Sequence, residues 1–145
     1  MCSVVRRVVL DTSVVASALR SRRGASFLVL RAVAGQILIP LATVPLFLEY
    51  EDVLKRPEQL SASGLAPIEV DEFLGELAGL LEPVEVHLRW RPQLRDPGDE
   101  LVFEAAINGR AEALVTHNVR DFADAAPRFG IPLLRPGELL QELKK

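Results

Sequence analysis

Short β-branched runs alternate with helix-length apolar stretches along this chain, and the first run ends directly on an acid. Residues 4–10 (VVRRVVL) read as a strand whose carboxyl end presents Asp11, with Thr12 and Ser13 placed to start a helix over 13–19. Residues 25–34 form the next helical run, stopped by Gly35, and 37–40 (ILIP) a short buried strand closed by proline. Strand, helix, strand in that order builds a parallel sheet with right-handed crossovers. In open α/β sheets, ligands bind outside the carboxyl ends of the strands, which is the edge where Asp11 stands.

The rest of the chain continues the pattern. A helix is expected over 43–56, with Thr43 at its start, Pro45 in its first turn, and Leu46, Phe47, Tyr50, Val53 and Leu54 on one face. At about 100° per residue, Glu49 and Glu51 fall on opposite borders of that apolar stripe, and geometry does not choose between them. Residues 57–67 (PEQLSASGLAP) read as a polar, flexible connection, 68–81 as an amphipathic helix, and 84–87 (VEVH) as an alternating strand followed by a loop at 89–92 (RWRP).

Residues 95–122 hold most of the remaining acids of interest. Asp96 is placed as N-cap, Pro97 as the first helical residue and Asp99 in the first turn of a helix over 99–108. That helix is apolar nearly all round, so it should be central and buried on two sides, with Gly109 as its stop. A strand at 113–116 then carries His117, Asn118 and Asp121 beyond its carboxyl end. Residues 131–134 read as a last strand, and Pro136 opens a terminal helix to 145.

With 145 residues, 49% of them hydrophobic, and no internal repeat or linker, the expectation is a single domain over 1–145. A net charge of -3 argues against a general nucleic-acid coat or a cationic membrane binder. Cys2 is the only cysteine, so an internal disulfide and a cysteine zinc site are excluded. No apolar run approaches membrane-spanning length, and Arg6 and Arg7 interrupt the first strand, so a cytoplasmic protein is expected.

Asp11, Asp99 and Asp121 thus come to one topological edge from three segments, and a glutamate of the 43–56 helix can join them. Each acid taken alone reads first as a cap, a turn residue or a solvated side chain. Together, without balancing lysines, they repel one another unless divalent cations are present, and all-oxygen ligation selects hard ions such as magnesium or manganese.

Four stretches, taken in order, resemble the PIN-domain family: Val9-Leu10-Asp11-Thr12-Ser13-Val14, residues 46–57 (LFLEYEDVLKRP), Asp96-Pro97-Gly98-Asp99-Glu100 and residues 114–122 (LVTHNVRDF). These are small metal-dependent nucleases that include toxins of toxin-antitoxin pairs, and the resemblance covers nearly the whole chain. It implies a three-layer α/β/α fold around a mainly parallel sheet of four to five strands. It further implies ligation of one or two Mg2+ or Mn2+ ions by Asp11, Glu49 rather than Glu51, and Asp99. Where many members carry Asp two residues after the strand-end threonine, this chain has Asn118, and Asp121 supplies the fourth acid. Thr116, Asn118, Asp96 and Thr12 are the supporting residues.

The implied activity is metal-assisted hydrolysis of RNA phosphodiesters, with Arg20, Arg22, Arg23, Arg91 and Arg95 at the margins and Trp90 as a stacking surface. The implied partners are an RNA substrate, a cognate antitoxin and a second copy of the chain. The competing reading is a catalytically degenerate fold that binds RNA or protein, marked by Asn118. A haloacid-dehalogenase phosphatase needs an acid at position 13, which is serine, and a dinucleotide-binding module needs a glycine-rich first turn in place of Asp11-Thr12-Ser13.

Overall fold

In the computed structural model, which describes residues 5–88 and 94–144, β1 (Arg7–Leu10) is the middle of a five-stranded sheet. Its neighbours are β2 (Ile39–Ala42) and β4 (Ala113–Val115), with β3 (Glu82–Pro83) and β5 (Leu133–Leu134) at the edges, and every pairing is parallel. Val8 pairs with Pro40 on one side and Ala113 on the other, so Asp11 and Thr116 leave adjacent strands at the same edge. Val8, Val9, Leu10, Leu114 and Val115 are all fully buried, as a sheet covered on both faces requires.

The connections are helical. Two helices, α1 (Thr12–Arg20) and α2 (Ala25–Ala34), join β1 to β2. Between β2 and β3 run α3 (Val44–Leu54), α4 (Pro57–Ser63) and α5 (Pro67–Leu80). From β3 the chain leads to α6 (Pro97–Gly109) and β4, and then α7 (Val119–Phe122), a 3-10 turn (Ala126–Phe129), β5 and α8 (Pro136–Leu143). Here α2 packs on α8, while α6 packs on β1, β2 and α3, and α3 on α5, giving the three-layer α/β/α arrangement. Among the described residues, no helix is long and apolar enough to cross a membrane.

Several sequence expectations shift. The segment 57–67, expected to be a flexible connection, holds α4: Pro57 opens it, Gly64 closes it with a left-handed φ of 74°, and Gln59 is buried with its amide donating to the Ala16 carbonyl at 3.1 Å. The expected strand at 84–87 is not one. Pairing occurs earlier, at Glu82–Pro83, and the following segment is tied instead by the Asn108 side chain, whose Oδ1 accepts from the His87 and Leu88 amides.

Pro40 does not close β2 but lies within it. Ile39 N–H carries the ladder to Arg6, and pairing with β3 begins at Leu41, so the missing donor is never called for.

The helix α6 is central as expected, with Val102, Phe103, Ala105 and Ala106 buried, and Asp96 and Pro97 take the N-cap and first helical positions. Its stop is Arg110, in a left-handed conformation, rather than Gly109. Gly109 serves close packing, since a Cβ there would meet Val84 Cγ2 at 3.0 Å and Leu41 Cδ1 at 3.1 Å. The expectations placed on Cys2, Trp90 and Arg91 lie outside the described residues.

Candidate active site

Asp11 occupies the N-cap position of α1, yet its carboxylate makes no cap bond. Oδ2 accepts instead from Ser13 Oγ at 2.8 Å and Thr116 Oγ1 at 2.7 Å. Thr116 is fully buried, and its oxygen accepts from the Asn118 amide at 2.8 Å, so its one hydroxyl proton is committed to Asp11. The Asp11 amide donates to the Val115 carbonyl at 2.9 Å, extending the β1–β4 ladder by one bond. Behind it, Tyr50 Oη donates to the Leu10 carbonyl at 2.6 Å. Burial, and then the Asp11 charge, push the Tyr50 phenol well above its usual range, which keeps it a donor. The aspartate is therefore 4% exposed, fixed in orientation, and has no protein donor on Oδ1 among the described residues.

The second part of the site is the first turn of α6. Asp96 Oδ1 accepts from the Gly98 and Asp99 amides at 2.7 and 3.2 Å, fixing the helix start from which Asp99 projects. Gly98 leaves room for two carboxylates: an added Cβ would lie 3.0 Å from Asp96 Oδ1 and 3.4 Å from Glu49 Oε1. The position of the two α3 glutamates is thereby distinguished. Glu49 stands beside the α6 turn, whereas Glu51 is held by Lys55 at 3.0 Å.

Burial pushes the Asp99 carboxyl up to about 7, reinforced by the charges of Asp11, Asp96, Asp121 and Glu100 in that order. A cavity of about 510 Å³ opens beside it, walled by Asp96, Asp99, Asp121 and Asp124 with Arg95, Arg120 and Arg128.

Of the residues expected from sequence, Asp96, Asp99 and Asp121 share this cavity wall, while Asp11 and Glu49 stand outside it. Asp11 couples to Asp99 through charge, and Glu49 approaches the α6 turn at Gly98. Thr12 is buried, and its Oγ1 has no hydrogen-bond partner among the described residues. Arg95 lines the cavity; Arg20, Arg22 and Arg23 do not, and Arg20 donates to Gln59 at 3.3 Å. Ser26 Oγ lies 2.7 Å from His117 Nε2, so α2 and the loop before it start at the same sheet edge as the acids.

Ser13, Tyr50, Asp124, Arg120 and Arg128 were not expected from sequence. The spacing Asp11-Thr12-Ser13 carried a signal for Ser13. Nothing local marked Tyr50, which reaches its partner across 40 residues of chain.

Among the described residues, no three His, Cys, Asp or Glu side chains form a ready-made metal cage. The acids still suit a hard divalent cation: Asp11, Glu49, Asp99 and Asp121 offer only oxygen, and the burial and the neighbouring negative charges that raise Asp99 are both what a bound cation offsets.

The raised Asp99 carboxyl has a consequence for stability. Because the folded value of Asp99 exceeds its usual 3.8, its favourable contribution is full below pH 4 and is lost as the pH rises through 7. In chelator, Asp99→Asn should therefore be more stable than the native chain at pH 8, by about 1 kcal/mol after allowance for solvent screening, and indistinguishable from it near pH 4. Thermal melts at the two pH values measure this, and a variant equally stable or less stable at pH 8 contradicts it.

The family model described as PIN domain matches residues 7–120, which covers β1 through the start of α7. No curated protein matches the chain.

Proposed function

The chain belongs to the PIN-domain family of nucleases, and on that premise we propose that it is a Mg2+- or Mn2+-dependent endoribonuclease. The observation that carries the reading is the convergence at one sheet edge of Asp11, fixed by Ser13 and Thr116, with the acid-walled cavity beside Asp99 and Asp121. Asp11, Glu49 and Asp99 would hold the cation, with Asp121 as the fourth acid. When bound, such an ion supplies positive charge to the phosphodiester and makes water a better nucleophile.

The residues of the chain do the positioning. Ser13 and Thr116 spend their hydroxyl protons on one oxygen of Asp11, which leaves the other to the ligand. Asp96 caps α6 and so fixes the base from which Asp99 extends. Burial and the neighbouring charges raise the Asp99 carboxyl to about 7, so a cation competes with a proton for it near neutral pH.

The finer reading is a cytoplasmic toxin of a toxin-antitoxin pair, acting as a homodimer and restrained by an antitoxin over the acid cavity. Finding a small reading frame immediately upstream of its gene would favour that role over general RNA processing. Incubating single-stranded and hairpin RNAs with the native chain and Mn2+ or Mg2+ tests the activity itself. Internal cleavage is expected; RNA binding without cleavage under either metal overturns it in favour of a non-catalytic binding module, the reading that Asn118 favours.

A further inference from the structure

Four aspartates and three arginines line the acid cavity, so with every carboxyl ionised acid is in excess by one. Carboxylates alone repel a phosphodiester, whereas a guanidinium presents a planar fork that donates to two phosphate oxygens at once. Of the three arginines, one is already engaged. Arg128 Nε is engaged by the Asp124 carbonyl at 3.1 Å. Arg95, whose side chain likewise has no partner among the described residues, lies outside any helix, immediately before the Asp96 cap.

The Arg120 side chain has no hydrogen bond and no ion pair among the described residues, although four carboxylates share its cavity. An exposed arginine is ordinarily just solvated. This one differs because its base is fixed: it sits next to Asp121 in α7, whose Asp121 amide donates to the Asn118 carbonyl at 3.0 Å and whose Phe122 ring is fully buried.

Resting on the reading of the site as a nuclease centre, we propose that Arg120 is a substrate-binding residue that clamps a non-bridging oxygen of an RNA phosphate at the acid cavity. It stands one residue from Asp121 and shares a wall with Asp99, so the phosphate it holds lies at the acids rather than along a distant groove.

The test compares native protein, Arg120→Ala and Arg120→Lys in steady-state RNA cleavage, Mn2+-induced thermal shift, and the salt dependence of RNA binding measured with Ca2+ in place of Mn2+. Arg120→Ala should raise KM about tenfold with kcat changed less than about threefold, the signature of lost uniform binding. It should lower the slope of log Kd against log salt by about 0.7, the value of one single-strand phosphate contact. The Mn2+ shift should not move. Arg120→Lys should restore the slope and only part of KM, because an ammonium supplies charge without the fork.

Unchanged KM and slope in Arg120→Ala, with the native chain cleaving normally, overturns the proposal and leaves the nuclease reading intact. Loss of the Mn2+ shift in Arg120→Ala also overturns it, since the arginine would then be supporting the acids. If the native chain cleaves no RNA with either metal, the nuclease reading fails, and the binding slope alone still decides whether Arg120 touches phosphate.

Discussion

Replacing Asp11 with Asn should lower metal-dependent RNA cleavage by at least about 100-fold while leaving the fold in place. The substitution keeps shape and removes charge. In the native chain, both hydroxyl donors converge on one carboxylate oxygen, and the amide oxygen of Asn can still accept from Ser13 and Thr116. What disappears is the negative oxygen that has no protein donor. Initial rates at saturating Mn2+, read beside circular dichroism and a thermal melt, separate loss of chemistry from loss of structure. Asp11→Asn cleaving at the native rate removes Asp11 from the site.

Phe103→Ala should cost about 3–5 kcal/mol of stability, lowering the melting temperature by roughly 10 °C. Phe103 is fully buried in α6 and packs edge-to-face on Phe129, with ring centroids 5.3 Å apart at 80°. It lies four residues after Asp99, on the same side of the helix, so it also anchors the turn that presents that acid. Phe103→Leu keeps most of the apolar volume and should cost less. Denaturant unfolding of both variants measures the difference, and a loss below about 1 kcal/mol in Phe103→Ala would show that the two-sided burial of α6 contributes little.

How far the chain is legible follows from the range of each interaction. The buried strands and α6 are set by local pattern, so 113–116 and the Asp96-Pro97 start appear in the sequence nearly as they stand in the structure. α4 was hidden because its composition is polar and its anchor, Gln59 on the Ala16 carbonyl, comes from a distant segment. β3 lies before the alternating stretch at 84–87 because the edge of β2 away from β1 pairs with Glu82 and Pro83, while the stretch just beyond is claimed by Asn108.

The same holds for the site. That the Asp11 carboxylate makes no capping bond to α1 depends on Thr116, 105 residues away, and no local pattern carries that bond. The choice between Glu49 and Glu51 turns on Gly98 and Lys55, one far along the chain and one a helical turn away. Arg120 shares a cavity with Asp96 and Asp99 only because α7 folds back beside the start of α6.

The central claim, that these acids form a divalent-cation centre for RNA hydrolysis, is tested most directly by chelation and metal add-back. Native protein and Asp99→Asn are stripped with EDTA, then titrated with Mn2+ in the presence of an end-labelled RNA. The expected result is no cleavage in chelator, recovery of internal cleavage in the native chain as free Mn2+ rises, and no recovery in Asp99→Asn. Cleavage that persists in chelator, or that returns equally in both proteins, contradicts it.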